Sequence, residues 1–172
     1  EAVWLAALAQ AMRARGLPES MAGRLIYDLC DRELAEQLAN PKAAQALAQE
    51  GAAMFTPAGR EDLRAWTEET QKRSHPADWV GTAVYGDGQD FDLGYDYSEC
   101  GAVKFFQASG VADVAPYFCL NDFTMSRAMG TGLARAHTLA QGDALCDFRY
   151  KKGRPVTQGW ESEARTLALR GF

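Results

Sequence analysis

Four side chains in the second half of the chain have the types and spacing to do chemistry. They are Cys100 in Ser-Glu-Cys-Gly, Cys119 and Asp122 in Cys-Leu-Asn-Asp, and Cys146 in Gly-Asp-Ala-Leu-Cys-Asp-Phe-Arg-Tyr. A thiolate is a strong nucleophile and a carboxylate a serviceable base, so a Cys/Asp pair can attack an electrophilic carbon. The same four residues are also candidate ligands of a divalent metal such as zinc, although the Cys-x-x-Cys pairs common in structural zinc sites are absent. Cysteine is often just a small buried hydrophobe, and Cys30, on an apolar helix face, is read that way. Asp122 weighs against that reading for Cys119: a carboxylate on the helix face of a buried thiol is costly unless it is paired or bound.

The elements that must position these groups follow from the hydrophobic pattern. Val3, Trp4, Leu5, Leu8 and Met12 recur at helical spacing until Gly16. Pro18 opens a second helix, with Met21, Leu25, Ile26, Leu29, Leu34 and Leu38 on its apolar face, and Asn40-Pro41 ends it. An alanine-rich helix to about Glu50, a loop from Gly51 to Gly59, and a helix from Arg60 to Lys72 with Leu63 and Trp66 inward complete the helical part.

The character changes at His75-Pro76. Trp79 to Tyr85 and Phe91 to Tyr97 have strand composition and enclose the hairpin loop Gly86-Asp87-Gly88-Gln89-Asp90. Helices are expected from about Ser98 to Ala108, ending at Gly110, and from Ala112 to Met129. Leu133 to Ala140 and Ala144 to Lys151 read as a second hairpin, and Trp160 to Leu169 as a last helix. The expected fold class is α+β: a helical N-terminal half, then β-β-α-α-β-β with a four-stranded antiparallel sheet covered by helices. The chain of 172 residues is expected to be one domain, with a helical part over 1–75, an α+β core over 76–152 carrying the site, and a tail over 153–172.

On that frame Cys119 and Asp122, three apart, share a helix face. Cys146 alternates with Phe148 and Tyr150 on the apolar side of its strand. Cys100 falls at a strand-to-helix junction, where the positive end of the helix dipole favours a thiolate. His75 reads as a loop residue and His137 as a cross-strand packing residue. No Ser-His-Asp order, HExxH, P-loop or Rossmann fingerprint is present.

A net charge of −5 argues against nucleic acid as a partner, and no apolar run approaches the roughly 18 residues of a membrane span. Val3 to Met12 lacks the basic flank and cleavage site of a signal peptide. Four cysteines are too few for a disulfide scaffold, so free thiols in a cytoplasmic protein are expected. Trp160 and Phe172 could mark a contact with another chain, including a second copy in a homo-oligomer, but docking on their own domain is the simpler expectation.

The stretch from Phe91 to Tyr150 resembles the L-2-amino-thiazoline-4-carboxylic acid hydrolase-like family. The matching pieces are Phe91-Asp92-Leu93-Gly94-Tyr95-Asp96, Glu99-Cys100, Phe105-Phe106, Ala115-Pro116-Tyr117-Phe118-Cys119-Leu120-Asn121-Asp122, and Thr138-Leu139-Ala140-Gln141-Gly142-Asp143 leading to Cys146-Asp147-Phe148-Arg149-Tyr150. The resemblance implies hydrolysis of a small cyclic amidine, opening 2-amino-thiazoline-4-carboxylate to a carbamoyl-cysteine. Cys100, Cys119, Asp122 and Cys146 would form the site, either as thiolate nucleophile and base or as holders of a metal-bound hydroxide. The substrate carboxylate would want a cation, for which Arg135 and Arg127 are the nearest candidates along the chain. The implied fold is also similar, more loosely, to vinyl-reductase-like ligand-binding domains, so a small-molecule or metal-binding sensor module without turnover is the alternative.

Overall fold

The four-stranded sheet is built so that one of its faces carries nearly all of the aromatic side chains of its central strands. The structure is a computed structural model and describes residues 2–172. Strands β1 (Val80–Tyr85), β2 (Leu93–Glu99), β3 (Leu133–Ala134) and β4 (Cys146–Tyr150) pair antiparallel in the order β1-β2-β4-β3. Strand side chains alternate between faces, and the β2–β4 register sets Leu93 opposite Tyr150, Tyr95 opposite Phe148 and Tyr97 opposite Cys146. These six share one face. The first hairpin turns through Gly88, whose φ of +80° suits glycine.

Helices α1 (Ala2–Arg13), α2 (Glu19–Ala39), α3 (Pro41–Ala53) and α4 (Pro57–Thr70) form the N-terminal half. Asn40 caps α3 by accepting from the Lys42 and Ala43 amides, so one residue both stops α2 and starts α3. Gly51 does not open a loop. It lies inside α3, where a Cβ would stand 2.0 Å from the Met129 carbonyl oxygen, so glycine permits close helix approach. The connection to α4 shrinks accordingly to residues 54–56. The apolar face expected of α2 is only half used: Ile26, Cys30 and Leu34 are buried, whereas Met21, Leu25, Leu29 and Leu38 are exposed.

Helix α5 (Gly101–Ala108) follows β2 and ends before Gly110, whose φ of +68° and amide bond to Gln107 stop it. The single helix expected over Ala112 to Met129 is three pieces: a 3-10 turn at Ala112–Val114, α6 (Ala115–Phe118) and α7 (Asn121–Met129). The second hairpin is far shorter than its composition suggests, because β3 has two residues. Side chains take the amides that a longer ladder would use. Asp147 Oδ1 accepts from the Ala136 and His137 amides at 2.9 and 2.6 Å, and Asp143 Oδ2 accepts from the Thr138 amide at 2.9 Å. A 3-10 turn at Leu139–Gln141 follows, and α8 (Trp160–Leu169) closes the chain.

Two packed clusters result. One joins α1 and α2 to α5 around Leu5, Ile26, Phe106 and Val114; the other lies under the sheet around Leu93, Tyr117, Phe123, Phe148 and Leu167. Each fully buried Leu or Phe contributes about 1.5–3 kcal/mol relative to exposure. Trp160 and Phe172 pack on the second cluster, Trp160 stacked on Tyr117 at 5.5 Å between ring centroids. Among the described residues no helix is long and apolar enough to cross a membrane.

Candidate functional site

Cys100, Cys119 with Asp122, Arg135 and Cys146 come from four separate parts of the chain and line one cavity of about 250 Å3. Its remaining wall is Trp79, Tyr95, Tyr97, Ala102, Phe118 and Phe148. The sheet register supplies part of this: Tyr97 and Cys146 are cross-strand partners on the face that α6 and α7 cover. Cys100 is the N-cap residue of α5 and its side chain makes no capping hydrogen bond. Gly101 beside it lets the Trp79 ring approach, since a Cβ there would stand 2.8 Å from that ring. The four cysteines form no disulfide.

Arg135 organises the floor. Its side chain is 3% exposed, and its guanidinium lies over the rings of Phe123 and Phe148 at 5.0 and 4.8 Å. Nη1 donates to Asp122 Oδ2 at 2.5 Å and Nη2 to the Cys119 carbonyl at 2.9 Å. The second bond accounts for the break between α6 and α7. The Phe123 amide donates to Leu120 instead of Cys119, a 3-10 step after which the Cys119 carbonyl accepts from Arg135 at 2.9 Å and from the Asp122 amide at 3.4 Å. Gln158 fixes the Arg135 backbone from both sides, accepting from its amide at 3.0 Å and donating to its carbonyl at 2.8 Å.

Burial dominates the electrostatics of the thiols. The Cys119 thiol is pushed far above the usual thiol range by desolvation, against the nearby Arg135 charge. Cys146 is pushed up to about 11, chiefly by burial; the Leu139 amide, which donates to its sulfur at 3.2 Å, opposes this. Both are therefore neutral thiols at pH 7. Tyr95 and Tyr97 hydroxyls are likewise held in the protonated form by burial, and Tyr95 Oη lies 3.0 Å from Tyr150 Oη. The cavity thus offers hydroxyl and thiol donors around a compensated Arg–Asp pair.

Other expected groups lie elsewhere. Arg127 does not line this cavity: it donates to the Tyr27 hydroxyl and the Gln158 carbonyl, on the side of α7 facing α2 and α8. His137 is not in a strand; it is exposed, with Nδ1 3.1 Å from Asp147 Oδ2. His75 is in a loop, its amide bound to Asp78. Among the described residues no three His, Cys, Asp or Glu side chains converge to hold a metal ion, so the geometry lends no support to a zinc role for Cys100, Cys119, Asp122 and Cys146. The tyrosines were missed from sequence. The alternation Phe91, Leu93, Tyr95, Tyr97 was visible, but only the pairing with β4 shows which face meets the thiols.

A sequence profile described as L-2-amino-thiazoline-4-carboxylic acid hydrolase matches residues 1–150. The chain belongs to that family. The match takes in the helical half, where no motif residue pointed to it, as well as every cysteine and Asp122. No curated protein and no solved structure shows a significant match to the chain. Cys100, Cys119, Asp122, Arg135 and Cys146 of the Phe91 to Tyr150 stretch line the cavity, whereas Asp147 pairs with His137 and Arg149 with Asp96 outside it.

Proposed function

We propose that the protein is a hydrolase that opens a small cyclic amidine of the 2-amino-thiazoline-4-carboxylate type in this cavity. The observation that carries the reading is the meeting of three cysteines, the Asp122–Arg135 pair, Tyr95 and Tyr97 around one cavity, in a chain of this family. Cys100 is the nucleophile of choice among the thiols: Cys119 and Cys146 are held neutral by burial, whereas Cys100 is the N-cap residue of α5 with its sulfur free of any capping bond.

The chemistry balances with water as the only co-reactant. The Cys100 thiolate attacks ring carbon C2, the C2–S bond breaks, and the ring sulfur leaves as a thiolate that takes up a proton. The amidino group is then held on Cys100. Water, losing a proton to Asp122, attacks the same carbon, and Cys100 departs as thiolate to leave a carbamoyl-cysteine. Arg135 is the cationic side chain lining the cavity and would face the substrate carboxylate or the developing negative charge. The Tyr97 hydroxyl, kept protonated by burial, would donate to the departing group.

The test is incubation with L-2-amino-thiazoline-4-carboxylate while released thiol and carbamoyl product are followed. Cys100→Ser and Asp122→Asn should each lose at least about 100-fold in kcat, in the range of a lost nucleophile or base, with unchanged melting for Cys100→Ser and activity of Asp122→Asn read well below its lowered melting point. Stoichiometric binding without product in the wild type would replace the hydrolase with a ligand-binding module.

A further inference from the structure

A second hollow of about 430 Å3 adjoins the cavity and shares two of its walls, Trp79 and Tyr97. Its other lining residues are Trp66, Glu69, Thr70, Ser74 and Asp78. Three aromatic rings and two carboxylates line it, and no cationic side chain does. Trp66 and Trp79 are 39% and 44% exposed, a costly display for indole rings unless something covers them. Their placement is nevertheless fixed. Trp66 packs edge-on against Tyr95 and Tyr97 at 5.7 and 5.8 Å, and Trp79 lies against Gly101. The Asp78 carboxylate is held by the His75 amide at 2.8 Å, and Glu69 pairs at the surface with Lys72.

Size points the same way. The inner cavity falls short of about 300 Å3, the low end for small-molecule sites, whereas the outer hollow falls inside the usual range. Aromatic faces with flanking carboxylates favour an ammonium or similar cation.

We infer that this hollow is a subsite for a cationic, amine-bearing arm of the ligand, so that the substrate class is a small heterocycle carrying an amine several bonds from the ring. The inference rests on the proposed function for which end of the ligand enters the inner cavity. Its test is a binding measurement that needs no turnover. Calorimetry on the full chain compares two 2-aminothiazole-4-carboxylates, whose aromatic ring resists opening: one with a 5-(4-aminobutyl) arm, the other with a neutral 5-pentyl arm. The amine arm should bind about tenfold more tightly. That preference should fall to about twofold or less in Trp79→Leu and in the Glu69→Gln/Asp78→Asn double variant, both checked for unchanged melting.

Equal affinities in the wild type, or a preference untouched by both variants, would overturn the subsite. Turnover of the plain thiazoline acid without any amine preference removes the subsite and leaves the hydrolase. An amine preference without turnover does the reverse.

Discussion

Nη1 of Arg135 lies 2.5 Å from Oδ2 of Asp122, joining a 3% exposed guanidinium to a carboxylate that is 43% exposed. The pair is asymmetric: the cation is almost wholly covered, while the anion partly meets water. Its two halves therefore respond differently to removal.

Asp122→Ala should destabilise the fold by about 2–3 kcal/mol, because it strands a buried cation, with some relief from the solvent that reaches the vacated space. Arg135→Met should cost less, since methionine keeps much of the volume between Phe123 and Phe148 and the freed carboxylate can hydrate. Urea midpoints of the two variants check the order, and Arg135→Met being the more damaging change would refute it.

Thiol reactivity should separate the cysteines. With a dilute alkylating agent at pH 7.5, Cys100 should modify first, and Cys119 and Cys146 at least about tenfold more slowly, since only the thiolate reacts. Peptide mapping by mass spectrometry reads the order. Fast labelling at Cys119 or Cys146 would contradict the burial described for them.

Alkaline pH should weaken the fold. Cys146 has its folded-state pKa raised to about 11 from a model-compound value of 9.0. The unfolded chain then releases its proton first, so the stabilisation is complete below about pH 9 and is lost as pH rises towards 11. The buried Tyr95, Tyr97 and Tyr150 shift in the same direction and extend the loss to higher pH. Denaturation midpoints between pH 8 and 11 should fall, less steeply in Cys146→Ala; a flat profile would be inconsistent with buried neutral thiols and phenols.

Tyr95 and Tyr150 share a hydroxyl contact of 3.0 Å beneath the cavity. Tyr95→Phe or Tyr150→Phe alone should cost about 1–2 kcal/mol by leaving a buried hydroxyl unpaired. The double variant should cost less than the sum of the two. A double-mutant cycle measures the coupling, and strict additivity would show that the hydroxyls do not interact.

Local sequence determined the elements whose signals are local. Asn40-Pro41 stops one helix and caps the next, and Gly88 turns the first hairpin. The alternation of Cys146, Phe148 and Tyr150 places that thiol on the inner face, all of which follow from backbone preference and strand periodicity. The order of the cysteines and Asp122 likewise carried the family and the four candidate residues. Tertiary structure decided what depends on partners distant in the chain. Arg135 draws the Cys119 carbonyl out of a would-be continuous helix, and Asp147 caps amides that would otherwise extend β3. The close Met129 carbonyl explains why position 51, inside a helix, is glycine, and bonds to the Tyr27 hydroxyl and the Gln158 carbonyl hold Arg127 away from the site. Each outcome is a competition for a hydrogen bond or for space between residues far apart in sequence, and hydrophobic periodicity carries no record of who the competitor is.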